Sequence, residues 1–152
     1  PLVNSYKRLV PGYEAPVLVS WGRNNRSSLV RVPQPFHLQD TRVELRCPDP
    51  SCNPYLALAV MLQCGLDGIK QGLEPGRPLE ENLHEADWAR IGFASLPSSL
   101  AEALDELEKD QVVQDALGAG ICRQFLAAKR AEWTDYSVEV TPWEHARYLG
   151  IF

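Results

Sequence analysis

The chain has 152 residues, 45% of them apolar, which is enough to bury one hydrophobic core of ordinary size. No apolar stretch approaches the roughly 20 residues that a membrane span needs, so we expect no membrane partner. The net charge is −5, but residues 1–48 carry seven basic and three acidic side chains, a balance of +4 that leaves −9 for the rest. Six of the seven basic residues are arginine, which favours oriented carboxylate or phosphate contacts, and we expect no nucleic-acid partner.

The predicted strands lie in the first third of the chain. Ala15–Trp21 and Ser28–Val32 are rich in β-branched and aromatic residues, and turn-like residues 22–25 separate them. After a loop with two prolines, Arg42–Cys47 forms the third strand. We therefore predict a small antiparallel sheet within a strand-rich part, residues 1–50.

The third predicted strand carries alternating charges. Arg42, Glu44 and Arg46 share one face, with Val43 and Leu45 on the other, because side chains alternate along a strand. Arginine grips phosphate and carboxylate oxygens, and a carboxylate is a hard ligand for a divalent cation, so this face suits a metal–nucleotide site. A solvated edge strand with its charges outward is the alternative interpretation.

Residues 51–152 are predicted to be mainly helical. Asn53 is a good N-cap for a helix from Pro54 to about Gln71, and because Leu56–Leu66 is apolar nearly all round we expect burial. Further helices are predicted at Leu100–Lys109, Gln111–Leu117, about Ile121–Tyr136, and from Thr141 and Pro142 toward Leu149. The predicted fold class is thus α+β, a small sheet followed by a helical C-terminal half.

Cysteine and histidine spacing gives no metal signature. The four cysteines lack Cys-x-x-Cys spacing and Cys64 lies inside the apolar helical run, so we expect reduced, mostly packed thiols. The chain has no initiator Met and no signal-peptide pattern, which predicts a cytoplasmic fragment or domain of a longer protein.

Four motifs follow one another along the chain: Asn4–Pro16, Asn25–Ser27 with Arg31–Pro33, Arg42–Arg46, and Pro48–Pro50 leading into Asn53–Leu56. In this order and spacing they resemble the C-terminal part of the catalytic domain of type I (bacterial-type) glutamine synthetases. The resemblance covers essentially all of residues 1–152, and it implies the guanido-kinase-like catalytic fold of that family.

The resemblance implies a glutamate site. Arg46 and Arg8 resemble the pair that holds the glutamate substrate, Arg46 through its carboxylate and Arg8 close to the reacting side chain. Glu14 resembles the acid of a mobile flap that closes over glutamate, excludes water and helps take a proton from ammonium.

The resemblance also implies a nucleotide and metal site. Arg26, Arg31 and Arg42 resemble contacts of the ATP phosphates, and Arg26 also reaches the transferred phosphoryl group and the glutamate. Glu44 resembles a ligand of one active-site Mg²⁺ or Mn²⁺ ion.

The implied activity is the ATP-dependent ligation of ammonia to L-glutamate through γ-glutamyl phosphate, in a homo-oligomeric ring, expected to be a dodecamer. Because the other metal and nucleotide ligands of the family lie upstream, we expect this fragment to be inactive alone. A γ-glutamyl-amine ligase acting on a polyamine or ethanolamine, and a non-catalytic structural member of the family, remain alternatives.

Two positions depart from the family. Gln39 replaces a lysine that contacts the nucleotide in many members. His84 stands where members controlled by adenylylation carry a tyrosine, so we expect no control by that route.

Overall fold

Three short strands and five α-helices make up the part of the chain that this computed structural model describes, residues 1–11, 15–80 and 92–151. The strands are β1 (Trp21–Arg23), β2 (Val30–Val32) and β3 (Glu44–Leu45). The α-helices are α1 (Pro54–Gln71), α2 (Leu100–Leu107), α3 (Gln111–Leu117), α4 (Ala119–Ser137) and α5 (Pro142–Tyr148). Two 3₁₀ helices, Val3–Arg8 and Leu38–Asp40, complete the elements. The predicted α+β class, a small sheet followed by helices, is confirmed.

The sheet has the order β1-β2-β3, and its pairing differs in part from the prediction. Strands β2 and β3 are antiparallel as expected, but β1 and β2 are parallel, so the wholly antiparallel sheet was wrong. The chain between them does not form a hairpin. Asn24, in the left-handed region at φ 58°, turns it back, and Val30 N donates to Ser20 O at 2.9 Å, beside the start of β1.

Strand β1 lies later than predicted and includes two residues of the expected turn. Leu18, in the predicted strand, forms a single antiparallel bridge with Ser95. Strand β1 itself is bonded to the segment around residue 79. Leu79 N donates to Trp21 O at 2.7 Å, and Arg23 N donates to the Glu80 carboxylate. These partners are more than fifty residues away, which is why local turn chemistry misplaced the strand.

Gly22 allows the segment around Leu79 to approach β1. The Leu79 carbonyl oxygen accepts from the Asn25 side chain at 2.7 Å and from the Ser28 hydroxyl at 3.3 Å, and both side chains are buried. A Cβ atom on Gly22 would overlap this same carbonyl oxygen. The glycine is therefore required by close backbone approach rather than by its own φ angle.

We expect Gly22→Ala to lower the free energy of unfolding by about 1–3 kcal/mol, because the added methyl group must displace the Leu79 backbone. Gly120→Ala is the matched control, since its Cβ meets nothing within 4 Å and it lies in α4. The control should be neutral or stabilising by about 0.5–1 kcal/mol. Urea unfolding followed by circular dichroism measures both, and equal effects would contradict the close-approach explanation.

Local capping sets the helix ends. Helix α1 matches its predicted bounds, because Asn53 Oδ1 accepts from Tyr55 N at 3.0 Å and from Leu56 N at 3.3 Å, and Gly72, at φ 62°, ends it. Helix α2 stops at Leu107, two residues before its predicted end. Asp110, three residues later, is the N-cap of α3. Helix α4 is longer by three residues than predicted, Ala119–Ser137.

Helix α1 is less covered than predicted. None of its residues is buried by the part of the chain that the structure describes, although it packs against α3. Six large apolar side chains of α1 are exposed: Tyr55, Leu58, Met61, Leu62, Leu66 and Ile69. Cys64 is exposed as well, against the expectation of a packed thiol, whereas Cys122 is buried. The expected burial was wrong because only one side of α1 meets described residues.

The first 3₁₀ helix joins the helical half to the strands. Tyr6 is buried against Leu100 and Leu104 of α2. Val3 N donates to Glu132 Oε1 of α4 at 3.1 Å, and Lys7 Nζ lies 5.7 Å from the centre of the Tyr136 ring. The helix is therefore anchored to α2 and α4.

Tyr6 gives this core a pH dependence. Burial first, and then the charges of Asp49 and Cys47, raise the pKa of the Tyr6 phenol from 10.0 to about 12. A raised folded-state pKa means that its contribution to stability is complete below about pH 10 and is lost as the pH rises through about 12. We expect the free energy of unfolding to fall more steeply over this window in wild type than in Tyr6→Phe, as measured by urea unfolding. Parallel pH profiles would contradict the assignment.

Candidate active site

Strands β2 and β3 place three predicted site residues together. Arg31 and Glu44 are Cα partners across the antiparallel pair, so their side chains are neighbours on one face. Arg31 Nη2 lies 2.6 Å from Glu44 Oε2, and Arg46 Nε lies 3.6 Å from Glu44 Oε1. Each carboxylate oxygen thus faces a different guanidinium. The Arg46 backbone is held by a 2.9 Å hydrogen bond from its N–H to Leu29 O.

Arg8 reaches the same region from the 3₁₀ helix Val3–Arg8. Its Nη2 donates to the carbonyl oxygens of Cys47, the residue after Arg46, and of Pro48, the latter at 3.0 Å. The two predicted glutamate-binding arginines therefore lie against one short segment of chain. This arrangement joins residues 38 positions apart in sequence.

Asp49 is held by its own loop. Its Oδ1 accepts from Ser51 N at 2.6 Å and from the Ser51 hydroxyl at 2.5 Å. Burial raises the pKa of Asp49, but the neighbouring polar groups of Ser5 and Ser51 outweigh it and bring the pKa to about 2. Asp49 is therefore ionised at every physiological pH.

Positive charge exceeds negative charge in this cluster. Arg8, Arg31 and Arg46 supply three positive charges, and Glu44 and the ionised Asp49 supply two negative charges. The side chains of Arg31 and Arg46 are 26% and 14% exposed, so they are partly shielded from water. The Nε atoms of Arg8 and Arg31 are buried and have no acceptor among the described residues. A site of this kind favours an anionic ligand with several oxygens, a carboxylate or a phosphate.

Two other predicted arginines, Arg26 and Arg42, are exposed. Arg42 is exposed and precedes β3, and its Nη1 donates to Asp40 O at 3.2 Å. It lies outside the two-residue strand β3, and Val43, between Arg42 and that strand, is 67% exposed. Arg26 is exposed in the connection between β1 and β2.

Three further positions singled out in the sequence are Glu14, Gln39 and His84. Glu14 and His84 lie outside the described residues. Gln39 is exposed in the 3₁₀ helix Leu38–Asp40.

The described residues do not form a metal site on their own. Nowhere in residues 1–11, 15–80 and 92–151 do three His, Cys, Asp or Glu side chains group closely enough to hold an ion. Glu44 offers hard oxygen atoms, but each of them already faces an arginine. Glu44 is thus at most one ligand of a larger set.

Sequence reasoning missed the contact of Arg8 with the Cys47 and Pro48 carbonyls, 39 and 40 positions along the chain. The contact joins two motifs that the sequence singles out, Asn4–Pro16 and Arg42–Arg46 with the residues that follow it, but neither residue type indicates it. The available signal was that two short polar motifs, each next to a predicted glutamate-binding arginine, belong to one site.

The fold and the site define an α+β domain with arginines paired to one carboxylate at its small sheet. The family described as "Glutamine synthetase, catalytic domain" matches residues 1–148. The chain belongs to the glutamine synthetase family, and the resemblance seen in its motifs is confirmed.

Relatives and solved structures agree with this assignment. The chain is 53% identical to a glutamine synthetase of Methanosarcina mazei and 51% identical to one of Thermotoga maritima, matches that cover 99% and 98% of this chain and 34% of each relative. It therefore spans about a third of the length of these relatives. A structure titled as a GmaS/ADP complex has a TM-score of 0.84 at 39% identity, covering 99% of this chain and 35% of that one. Glutamine synthetase of Plasmodium falciparum, at 22% identity and a TM-score of 0.79 over 96% of this chain and 37% of that one, shows the shared fold.

The Glu44 carboxylate should stabilise the arginine cluster when no anion is bound. We expect Glu44→Gln to lower the free energy of unfolding by about 0.5–1 kcal/mol at low salt, a figure discounted for solvent screening because Glu44 is 40% exposed. The loss should shrink with added sodium chloride. Glu106→Gln, which breaks an exposed pair with Lys109, is the matched control and should be neutral. Urea unfolding at two salt concentrations measures this, and a salt-independent loss would contradict an electrostatic role.

Proposed function

We propose that the protein containing this chain is a glutamine synthetase, which ligates ammonia to L-glutamate at the expense of ATP and forms γ-glutamyl phosphate as intermediate. The observation that carries the proposal is the pairing of Arg31 and Arg46 with Glu44, with Arg8 bonded to the segment that follows Arg46, in a chain 53% identical to a glutamine synthetase. The reaction needs such a cluster because its substrates and intermediate are carboxylates and phosphates.

Arg8 and Arg46 bind glutamate in this proposal. Arg46 directly follows β3 and its N–H is bonded to Leu29 O, and Arg8 Nη2 donates to the carbonyl oxygens of the next two residues, Cys47 and Pro48. A pair of fixed forks orients a dicarboxylate, so that its γ-carboxylate is presented to the nucleotide in a single position.

Arg26, Arg31 and Arg42 bind the ATP phosphates. Phosphoryl transfer spreads negative charge over the phosphoryl oxygens, and fixed guanidinium groups stabilise that charge without reorganising. Arg26 also reaches the phosphoryl group in transit and the glutamate. Glu44 contributes one ligand to a bound Mg²⁺ or Mn²⁺ ion, which supplies further neutralisation of phosphate charge.

Glu14 acts on the second substrate. Ammonium has no lone pair until it loses a proton, so a carboxylate is needed to accept that proton before nitrogen attacks the γ-carbonyl carbon and phosphate leaves. Glu14 also closes the site, because water would otherwise hydrolyse the acyl phosphate.

The whole protein works as a cytoplasmic homo-oligomeric ring, which we propose to be a dodecamer. The exposed apolar side chains of α1 support packing against further polypeptide. Among the described residues, no helix is both long and apolar enough to cross a bilayer.

Phosphate release by the full-length protein, dependent on both ATP and glutamate, tests the proposal. We expect ammonium to drive it better than a panel of polyamines and ethanolamine. Arg46→Ala should lower kcat/KM for glutamate by about 10- to 150-fold, the effect of losing a charge-assisted hydrogen bond of about 1.5–3 kcal/mol. Glu14→Ala should lower kcat by about 10²-fold or more.

Arg123→Ala provides the control, since Arg123 lies on α4 in the helical half and is exposed. It should leave turnover unchanged. Preference for a larger amine would instead assign a γ-glutamyl-amine ligase of the same fold. No turnover with any amine would favour a structural family member.

A further inference from the structure

We propose that Asn25 is a positioning residue: its buried carboxamide holds the backbone around Arg26, ties it to the Leu79 carbonyl oxygen, and so fixes Arg26 relative to Arg31. The inference rests on the proposed function, since it takes Arg26 and Arg31 as contacts of the ATP phosphates.

The Asn25 side chain forms hydrogen bonds in two directions. Its Oδ1 accepts from Ser27 N at 2.8 Å, and its Nδ2 donates to Leu79 O at 2.7 Å. Asn25 is 4% exposed, so its carboxamide is shielded from water. A carboxamide has an acceptor oxygen and N–H donors on opposite sides, and only this orientation matches both an N–H and a carbonyl partner. The side chain therefore has one defined position.

The hydrogen bond from Ser27 N closes a turn around Arg26. An asparagine oxygen that accepts from the backbone N–H two residues later encloses the residue between them, and here that residue is Arg26. The turn fixes the backbone from which the Arg26 side chain projects. Arg26 is exposed, whereas Asn25 before it and Ser28 after it are buried. The arginine is therefore held through its neighbours and presented at the surface.

The hydrogen bond to Leu79 connects this turn with the sheet. The Leu79 carbonyl oxygen, which accepts from Asn25, also lies against Gly22 of β1, where a Cβ atom would overlap it. Gly22 and Arg31 are Cα partners in the parallel ladder of β1 and β2. Contacts thus run from Arg31 through this carbonyl oxygen to Asn25, which precedes Arg26. The relative position of two proposed phosphate-binding arginines is therefore set by these backbone contacts.

Other contacts hold the sheet when the Asn25 side chain is removed. Ser28 Oγ donates to the same Leu79 oxygen at 3.3 Å, and Leu79 N donates to Trp21 O at 2.7 Å. The ladder of β1 and β2 does not include Asn25. Loss of the carboxamide should therefore free residues 25–27 while the strands stay in place.

Steady-state phosphate release by the full-length protein tests the inference. We expect Asn25→Ala to lower kcat/KM for ATP by about 10- to 100-fold, because small misplacements of a binding group have large effects. Asn25→Ser should lower it as far, since its hydroxyl can accept from Ser27 N but is too short to reach the Leu79 carbonyl as well. A serine variant as active as wild type would rule out the role of Leu79.

A double variant separates positioning of Arg26 from general loosening. If Asn25 acts through Arg26, adding Asn25→Ala to Arg26→Ala should change kcat/KM for ATP by no more than about twofold. A further loss as large as that of Asn25→Ala alone would mean that Asn25 acts elsewhere, and would overturn the proposal.

Ser20→Ala is the matched control. Ser20 is also buried, at 7% exposed, and its Oγ accepts from Leu29 N at 3.4 Å, so the variant loosens the same connection at its far end. It should leave kcat/KM for ATP unchanged. A fall equal to that of Asn25→Ala would show that any loosening of the connection has this effect, and would contradict a specific role of Asn25.

A crystal structure of the full-length Asn25→Ala variant decides the question without activity. We expect the backbone at Arg26 to move by about 1 Å or more relative to Arg31, a displacement large enough to impair catalysis, while β1 and β2 stay paired. An unmoved Arg26 would refute the inference. Absence of phosphate release by wild type would sink the proposed function alone, since the crystal structure still tests the link from Asn25 to Arg26.

Discussion

The position of the 3₁₀ helix Val3–Arg8 is the constraint on which the described site depends. Three strands of two or three residues are too short to hold a sheet in one arrangement by themselves. The helix supplies the missing support because Tyr6 is buried in the helical core, while Arg8 donates a hydrogen bond to the Cys47 carbonyl just after β3. Packing of the helical half therefore fixes the position of the Arg8 guanidinium beside the strand-rich half.

Electrostatics explains why the cluster is built from arginines around one carboxylate. Glu44 partly neutralises Arg31 and Arg46 when no ligand is present, and it holds their planar groups at opposite oxygens. A lysine would provide a mobile point charge instead of an oriented fork. The partial burial of both arginines raises the strength of each interaction, so that an incoming anion meets donors that are already in place.

Local signals in the sequence were sufficient for some elements and not for others. The bounds of α1 follow from Asn53, Pro54 and Gly72, which act within one turn of their own position. The parallel pairing of β1 depends on partners near residue 79, and Arg42 falls outside β3 because the ladder is only two residues long. The proximity of Arg31, Glu44 and Arg46 was therefore indicated by the motifs, whereas the bonds of Arg8 to the Cys47 and Pro48 carbonyls were not.

The arginine site, which precedes Asn53 in the sequence, and helix α1, which follows it, are stabilised by different interactions. Before Asn53, directional bonds join Arg8 to the Cys47 and Pro48 carbonyls and Arg31 to the Glu44 carboxylate. After it, α1 exposes large apolar side chains, and a cavity of about 400 Å³ separates part of it from α2. Burial of apolar area is not directional, and any surface of suitable shape that covers α1 stabilises it equally. The position of Arg8 relative to Arg46 therefore does not require α1 to be covered, whereas the full stability of the domain does.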